Sequence, residues 1–121
     1  MEINFRETAT TLELICVDAA RVVDGFLLEE FPAVIGRGPK ADAVIDSHWV
    51  SRFHCTIERA AEGFAVRDLN SRNGTMVNEV PVSEAPLNSC DKLTLGMITF
   101  HVLLHEGQGE MPSTIVCAAA K

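Results

Sequence analysis

Ile98-Thr99-Phe100-His101-Val102-Leu103-Leu104 alternates the apolar residues Ile98, Phe100, Val102 and Leu104 with Thr99, His101 and Leu103. A period of two is the pattern of a strand with one buried face. Shorter apolar runs precede it, at residues 12–17, 25–31 and 33–35, and Phe64 and Val66 alternate with Ala65 and Arg67. Between these runs lie residues 36–42, 46–51, 68–74, 77–82 and 87–91, all rich in Gly, Pro, Asn, Asp and Ser, which are turn formers. No stretch sustains a helical stripe. Many short strands at this turn spacing predict an all-β sandwich or barrel.

A chain of 121 residues is enough for one core. Ten Lys and Arg stand against 17 Asp and Glu, a formal charge of −7, which argues against nucleic acid and anionic membrane as partners. It leaves room for a small local basic site. The head, residues 1–11, and the tail, residues 106–121, are polar or small-residue segments expected to fray around a domain spanning residues 12–105. Cys16, Cys55, Cys90 and Cys117 show no metal-ligand spacing, so neither a metal nor another cofactor is expected. The cysteines read as reduced apolar fillers, with Cys117 exposed. The first residues lack a basic start followed by an apolar run, so no signal peptide is expected and the expected setting is cytoplasmic.

Three polar clusters fall in three separate turn segments: Gly36-Arg37, Ser51-Arg52-Phe53-His54, and Ser71-Arg72-Asn73-Gly74-Thr75. In a sandwich, loops at one end lie together. They would then offer Arg37, Arg52 and Arg72, the Ser51 hydroxyl and the Asn73 amide to one anion. Guanidinium forks match phosphate oxygens in geometry and charge. Gly36-Arg37-Gly38-Pro39-Lys40 lacks the ending of a nucleotide-binding loop.

The order G-R, S-x-x-H, N-G, followed by Asp91-Lys92-Leu93-Thr94-Leu95-Gly96 before the last strand, closely resembles the forkhead-associated (FHA) domain. The resemblance covers residues 12–104. It implies a β-sandwich of about eleven strands that binds phosphothreonine peptides through loops at one end. On that resemblance Arg37 clamps the phosphate and Ser51 donates its hydroxyl to it. Arg52 and Arg72 add charge, and Asn73 bonds the peptide main chain. His54 holds the recognition loop from inside, and Gly36 and Gly74 serve backbone geometry. Trp49, two residues before Ser51, reads either as a core residue or, slightly favoured because Ser47 and His48 beside it are loop-like, as an exposed residue of the recognition loop that contacts peptide side chains beyond the phosphothreonine. Some small bacterial members carry a threonine-rich head that kinases phosphorylate. Thr8, Thr10 and Thr11 make that conceivable here, although a frayed polar terminus is the favoured reading. The sequence departs from the family pattern at Asn78-Glu79, where Asn-Gly is common, and at Ser89-Cys90-Asp91, where Gly-Asp is usual. Glu disfavours positive φ, so a longer or different turn is expected after Val77.

A phosphothreonine carries about −1.5 to −2 charges and three acceptor oxygens, and each charge-assisted hydrogen bond contributes roughly 1.5–3 kcal/mol. Less the cost of ordering a peptide, affinity on the order of micromolar is expected. The leading reading is a non-enzymatic phosphothreonine-binding adaptor in Ser/Thr kinase signalling, whose partner is a kinase or a kinase substrate. The alternative is the same fold used for phosphate-independent protein assembly. An enzyme with Ser51 and His54 as nucleophile and base is disfavoured, because no G-x-S-x-G elbow or orienting acid accompanies them.

Overall fold

The computed structural model describes residues 9–17, 24–61 and 63–106. The short apolar runs become eleven strands: β1 (Ala9–Cys16), β2 (Gly25–Leu28), β3 (Ala33–Gly36), β4 (Ala43–Val44), β5 (Cys55–Ala60), β6 (Gly63–Asp68), β7 (Thr75–Val77), β8 (Val80–Pro81), β9 (Glu84–Leu87), β10 (Lys92–Leu95) and β11 (Ile98–Glu106). They form a six-stranded sheet ordered β2-β1-β11-β10-β7-β8 and a five-stranded sheet ordered β4-β3-β5-β6-β9. No helix interrupts them among the described residues, and the all-β expectation of about eleven strands holds.

The alternation read in the sequence explains the layers. Ile98, Phe100 and Val102 of β11 are buried, as are Leu12, Leu14 and Cys16 of β1 and Leu93 and Leu95 of β10. They meet Ile35, Ile57, Phe64, Val66 and Leu87 from the other sheet in one cluster. Phe64 also packs against Phe31 at 4.7 Å between ring centroids, with the Arg59 guanidinium over both rings. Fully burying each such side chain contributes about 1.5–3 kcal/mol.

Register decides where the loops gather. Ile35 pairs with Cys55 and Cys55 with Asp68 in one sheet, while Thr75 pairs with Leu95 and Leu95 with Ile98 in the other. The end of β3, the start of β5, the end of β6, the start of β7 and the β10–β11 turn therefore share one end of the sandwich.

Three local expectations need correction. β1 begins at Ala9 and pairs with β11, Thr11 standing opposite His105. Thr11 is thus a paired strand residue and Thr10 stands at an irregularity in the same strand, which the head was expected to lack; Thr8 and residues 107–121 lie outside the described residues. The Asn78-Glu79 turn is not longer. Val77 pairs directly with Val80, and Asn78 and Glu79 take φ of 53° and 70°, the left-handed pair that a two-residue hairpin turn requires. Asn78 offsets its cost by bonding Lys92 N–H and Asp91 through its side chain, at 2.9 and 3.0 Å. Cys16 and Cys55 are free and buried, but Cys90 is disulfide-bonded, not a reduced filler. Its φ of 76° shows why glycine suits this position in the family pattern.

Glu79 has no comparable compensation beyond an exposed ion pair with Lys92 at 3.7 Å. Glu79→Gly is therefore expected to stabilise the protein by about 1 kcal/mol, raising the thermal midpoint by roughly 4–8 °C in a calorimetric comparison.

Candidate functional site

The three clusters form one connected surface. β3 ends at Gly36, where a Cβ would overlap the Arg52 carbonyl oxygen. With that space open, the chain beyond β3 lies against the loop before β5. Arg37 N–H donates to Ser51 O at 2.9 Å and Gly38 N–H to Arg52 O at 3.0 Å. Arg37 Nε donates to Val50 O at 3.0 Å, which holds the guanidinium by one edge while the residue stays exposed.

Ser51 joins this loop to the one between β6 and β7. Its Oγ accepts the Arg72 N–H at 2.9 Å. A hydroxyl that accepts one backbone N–H keeps its own proton to donate. Arg52 and Arg72 are both exposed. Asn73 is placed beside them, and its Nδ2 donates to Trp49 O at 2.9 Å, so one donor of the amide closes the loop pair.

His54 is fully buried beneath these groups. Ser51 N–H donates to its Nδ1 at 3.1 Å, so Nδ1 is an acceptor, and Nε2–H donates to Gly74 O at 2.8 Å. This is the neutral tautomer with the proton on Nε2. Burial holds the imidazole below its ordinary value, against the opposing pull of the Gly74 carbonyl and the Asp68 charge. Both ring nitrogens are bound to main chain, so His54 is not a base for the Ser51 hydroxyl. The ring ties the main chain at Ser51 to that at Gly74 from within.

Asp68 is a hub that sequence reasoning missed. Its Oδ1 accepts from the Ser71 hydroxyl at 2.6 Å and the Thr75 hydroxyl at 2.7 Å, and its Oδ2 from Ser71 N–H at 3.0 Å. The Ser71 hydroxyl in turn accepts Gly74 N–H at 3.0 Å. Burial would raise this carboxyl, but the hydroxyl and backbone donors outweigh it and hold the acid below its ordinary value. The signal was present: an Asp three residues before a Ser, with Gly-Thr beyond, is side-chain-to-backbone turn chemistry.

Gly96 was also passed over. At φ +66° its Cβ would overlap Trp49 O, and its N–H donates to Gly74 O at 3.1 Å. The β10–β11 turn is thereby a fourth member of the site. Trp49 is 42% exposed, with the His48 ring 4.8 Å away; it stands on the loop as expected and not in the core. Among the described residues no group of His, Cys, Asp and Glu is placed to hold a metal ion, and no helix is long and apolar enough to cross a membrane.

The FHA domain family model matches residues 33–96, which span β3 to the β10–β11 turn and contain every element of this surface. The chain belongs to the FHA domain family. It is 36% identical over 85 residues to the glycogen accumulation regulator GarA of Mycobacterium tuberculosis, covering 70% of this chain and 52% of that protein. It is 37% identical over 82 residues to an oxoglutarate dehydrogenase inhibitor of Corynebacterium diphtheriae, covering 68% of this chain and 56% of that protein. The chain thus spans about half the length of these relatives. Among solved structures it resembles an FHA domain from a study of phosphothreonine-dependent FHA interactions, with a TM-score of 0.70, 34% identity, and 79% of this chain and 98% of that one covered. It also resembles the FHA domain of FhaA in complex with the intracellular domain of another protein, with a TM-score of 0.66, 35% identity, and 75% and 98% covered.

Two outcomes follow from this geometry. His54 binds no proton when folded at pH values where the unfolded chain does, so its contribution to stability is complete above about pH 6.5 and is lost as pH falls through the lowered folded value. Thermal midpoints measured from pH 8 to pH 5 are expected to decline below about pH 6.5, and His54→Gln to remove that part of the slope while lowering stability throughout. Gly96→Ala is expected to cost about 2 kcal/mol or more in denaturant unfolding, because φ and the Trp49 carbonyl both oppose the methyl group.

Proposed function

We propose that this chain is a non-enzymatic phosphothreonine-peptide reader, an adaptor in cytoplasmic Ser/Thr kinase signalling. The observation that carries it is the Arg37–Ser51–Arg72 surface. An exposed guanidinium is held at one edge by Val50 O, and a hydroxyl with a proton to give is anchored on Arg72 N–H. Both belong to loops braced by a buried neutral histidine. Arg37 would clamp the phosphate oxygens bidentately. Ser51 would donate to one of them, and Arg52 and Arg72 would add positive charge in a chain of net charge −7. Asn73, held by Trp49 O, would meet the peptide main chain. Gly36, Gly74 and His54 support these positions without touching the ligand. Family membership and the phosphothreonine-dependent neighbour support the same reading.

A second use of the fold has one observation in its favour. Ile15, Val17 and Leu27, on and beside β1 and β2, are exposed, as an apolar assembly surface would be. Such assembly would be indifferent to Arg37.

Binding of the full chain to a degenerate phosphothreonine peptide library, by fluorescence anisotropy, tests the proposal. Phosphothreonine peptides are expected to bind with affinity on the order of micromolar and their unphosphorylated counterparts far more weakly. Arg37→Ala is expected to lose roughly 10- to 150-fold, the worth of one charge-assisted contact. Equal binding of phosphorylated and unphosphorylated libraries, unchanged by Arg37→Ala, would overturn the proposal in favour of assembly.

A further inference from the structure

The six-stranded sheet ends on one side in β2, whose one neighbour among the described residues is β1. Cys16 N–H donates to Asp24 O at 2.8 Å, and in the same register Ile15 pairs with Gly25 and Leu14 with Phe26. Alternation along an antiparallel ladder then aims the backbone groups of Phe26 and Leu28 at β1 and those of Gly25 and Leu27 away from it. The outer side of β2 is therefore a short row of N–H and C=O groups with no ladder partner, a template for one more strand.

The other three edges are blunted. β8 carries Pro81, β9 carries Pro86, and β4 is two residues long. A Pro offers no donor, and so short a strand offers little to pair with. β2 has four residues, Gly25-Phe26-Leu27-Leu28, with no Pro or Lys among them. Phe26 and Leu28 pack on the core. Leu27 is 55% exposed, on the same outer face as the exposed Ile15. Two open grooves flank Leu27, one of about 430 Å³ beside Glu13 and Asp24, the other of about 360 Å³ beside Glu29, Glu30 and Asp42. Neither lining holds a Lys or Arg; Arg59 lies over the Phe31 ring next to the second, and Glu13 meets His105 at 2.9 Å.

This charge decides the occupant. Two copies joined through β2 would set acid against acid: in the two-fold pairing centred on Leu27, Asp24 faces Glu30 of the other copy, and like charges directly opposite are destabilising. A strand with cations at its ends and aliphatic residues between meets the same edge with every sign matched. We propose that the outer edge of β2 is a docking site, separate from the phosphate surface, where an unphosphorylated basic-ended aliphatic segment of a partner protein adds as a seventh strand. Main-chain bonds to Gly25 and Leu27 hold the segment, Leu27 takes its aliphatic side chain, and the acids at the two ends of the edge select Lys or Arg. Occupancy does not need Arg37, because β1 stands between β2 and β11.

The test uses the full chain and a labelled probe peptide, Lys-Val-Thr-Val-Thr-Val-Lys, beside a counterpart with Glu at both ends. By fluorescence anisotropy at low salt the Lys-ended peptide is expected to bind with a Kd on the order of 100 μM, and the Glu-ended one about tenfold more weakly. Amide exchange of Gly25 and Leu27 is expected to slow when the Lys-ended peptide binds. Leu27→Lys is expected to lose about tenfold for the Lys-ended peptide, with the thermal midpoint confirming folding. In the double variant Glu29→Lys and Glu30→Lys the Glu-ended peptide is expected to gain while the Lys-ended one loses, which a merely structural defect would not produce. Arg37→Ala is expected to leave all of this unchanged. No binding of the Lys-ended peptide up to about 1 mM, binding that leaves the Gly25 and Leu27 amides unprotected, or a preference that survives the charge reversal would overturn the site. So would a concentration-dependent dimer of the unliganded chain that protects those two amides, since it would give the edge to a second copy. Each of these outcomes leaves the phosphothreonine reading standing.

Discussion

The neutral imidazole of His54 is the interaction on which the recognition end depends. One ring nitrogen accepts from Ser51 N–H and the other donates to Gly74 O, so a single buried side chain fixes two loops that enter different sheets. Only the uncharged ring can do both, because a protonated imidazole has no acceptor. Burial supplies the condition by disfavouring charge. Gly74 O also accepts Gly96 N–H, so the β10–β11 turn depends on the same carbonyl. Asp68 completes the arrangement from below, gathering Ser71 and Thr75 on one carboxylate. A half-satisfied network of this kind would be costlier than an apolar core, and among the described residues no buried side-chain polar atom lacks a partner.

This bracing bears on how an acidic chain could carry the proposed anion site. Arg37, Arg52 and Arg72 would repel one another if they were merely clustered on flexible loops. Here the main chain beneath them is held by hydrogen bonds from Arg37 and Gly38 to the 51–52 carbonyls and from Arg72 to the Ser51 hydroxyl. The entropy of bringing the donors together is met by folding and not at the moment of binding, which is how preorganisation raises affinity. The core of Leu, Ile, Val and Phe side chains provides the rigid base, and the loops carry the chemistry.

Much of the site was legible as a motif order. Gly36-Arg37, Ser51 with His54, and Asn73-Gly74 are short enough that residue type and spacing identify them once all three occur in sequence. Asp68 and Gly96 were not read, although both lay inside quoted stretches. An Asp before a turn and a Gly before a strand are common; the Asp68 contacts are local, to Ser71 and Thr75, whereas the importance of Gly96 comes from a partner far away in sequence, the Trp49 carbonyl. The turn at Asn78-Glu79 was misjudged for the opposite reason. Local preference argued against a left-handed glutamate, but the antiparallel register of β7 and β8, with Asn78 bonded to Asp91 and Lys92, imposed it.

Sequence alone determined the all-β class, because period-two alternation dictates which face of each strand is buried whatever its neighbours are. It also determined the donor inventory of the site, because guanidinium, hydroxyl and amide groups keep their chemistry in any fold. Tertiary structure decided what those groups are free to do. The bond from His54 to Gly74 O, the turning of the Asn73 amide to Trp49 O and the packing of Gly96 against Trp49 O each follow from contacts between segments more than ten residues apart. Such contacts are set by how two sheets close over one core, and no local pattern of residues encodes that closure.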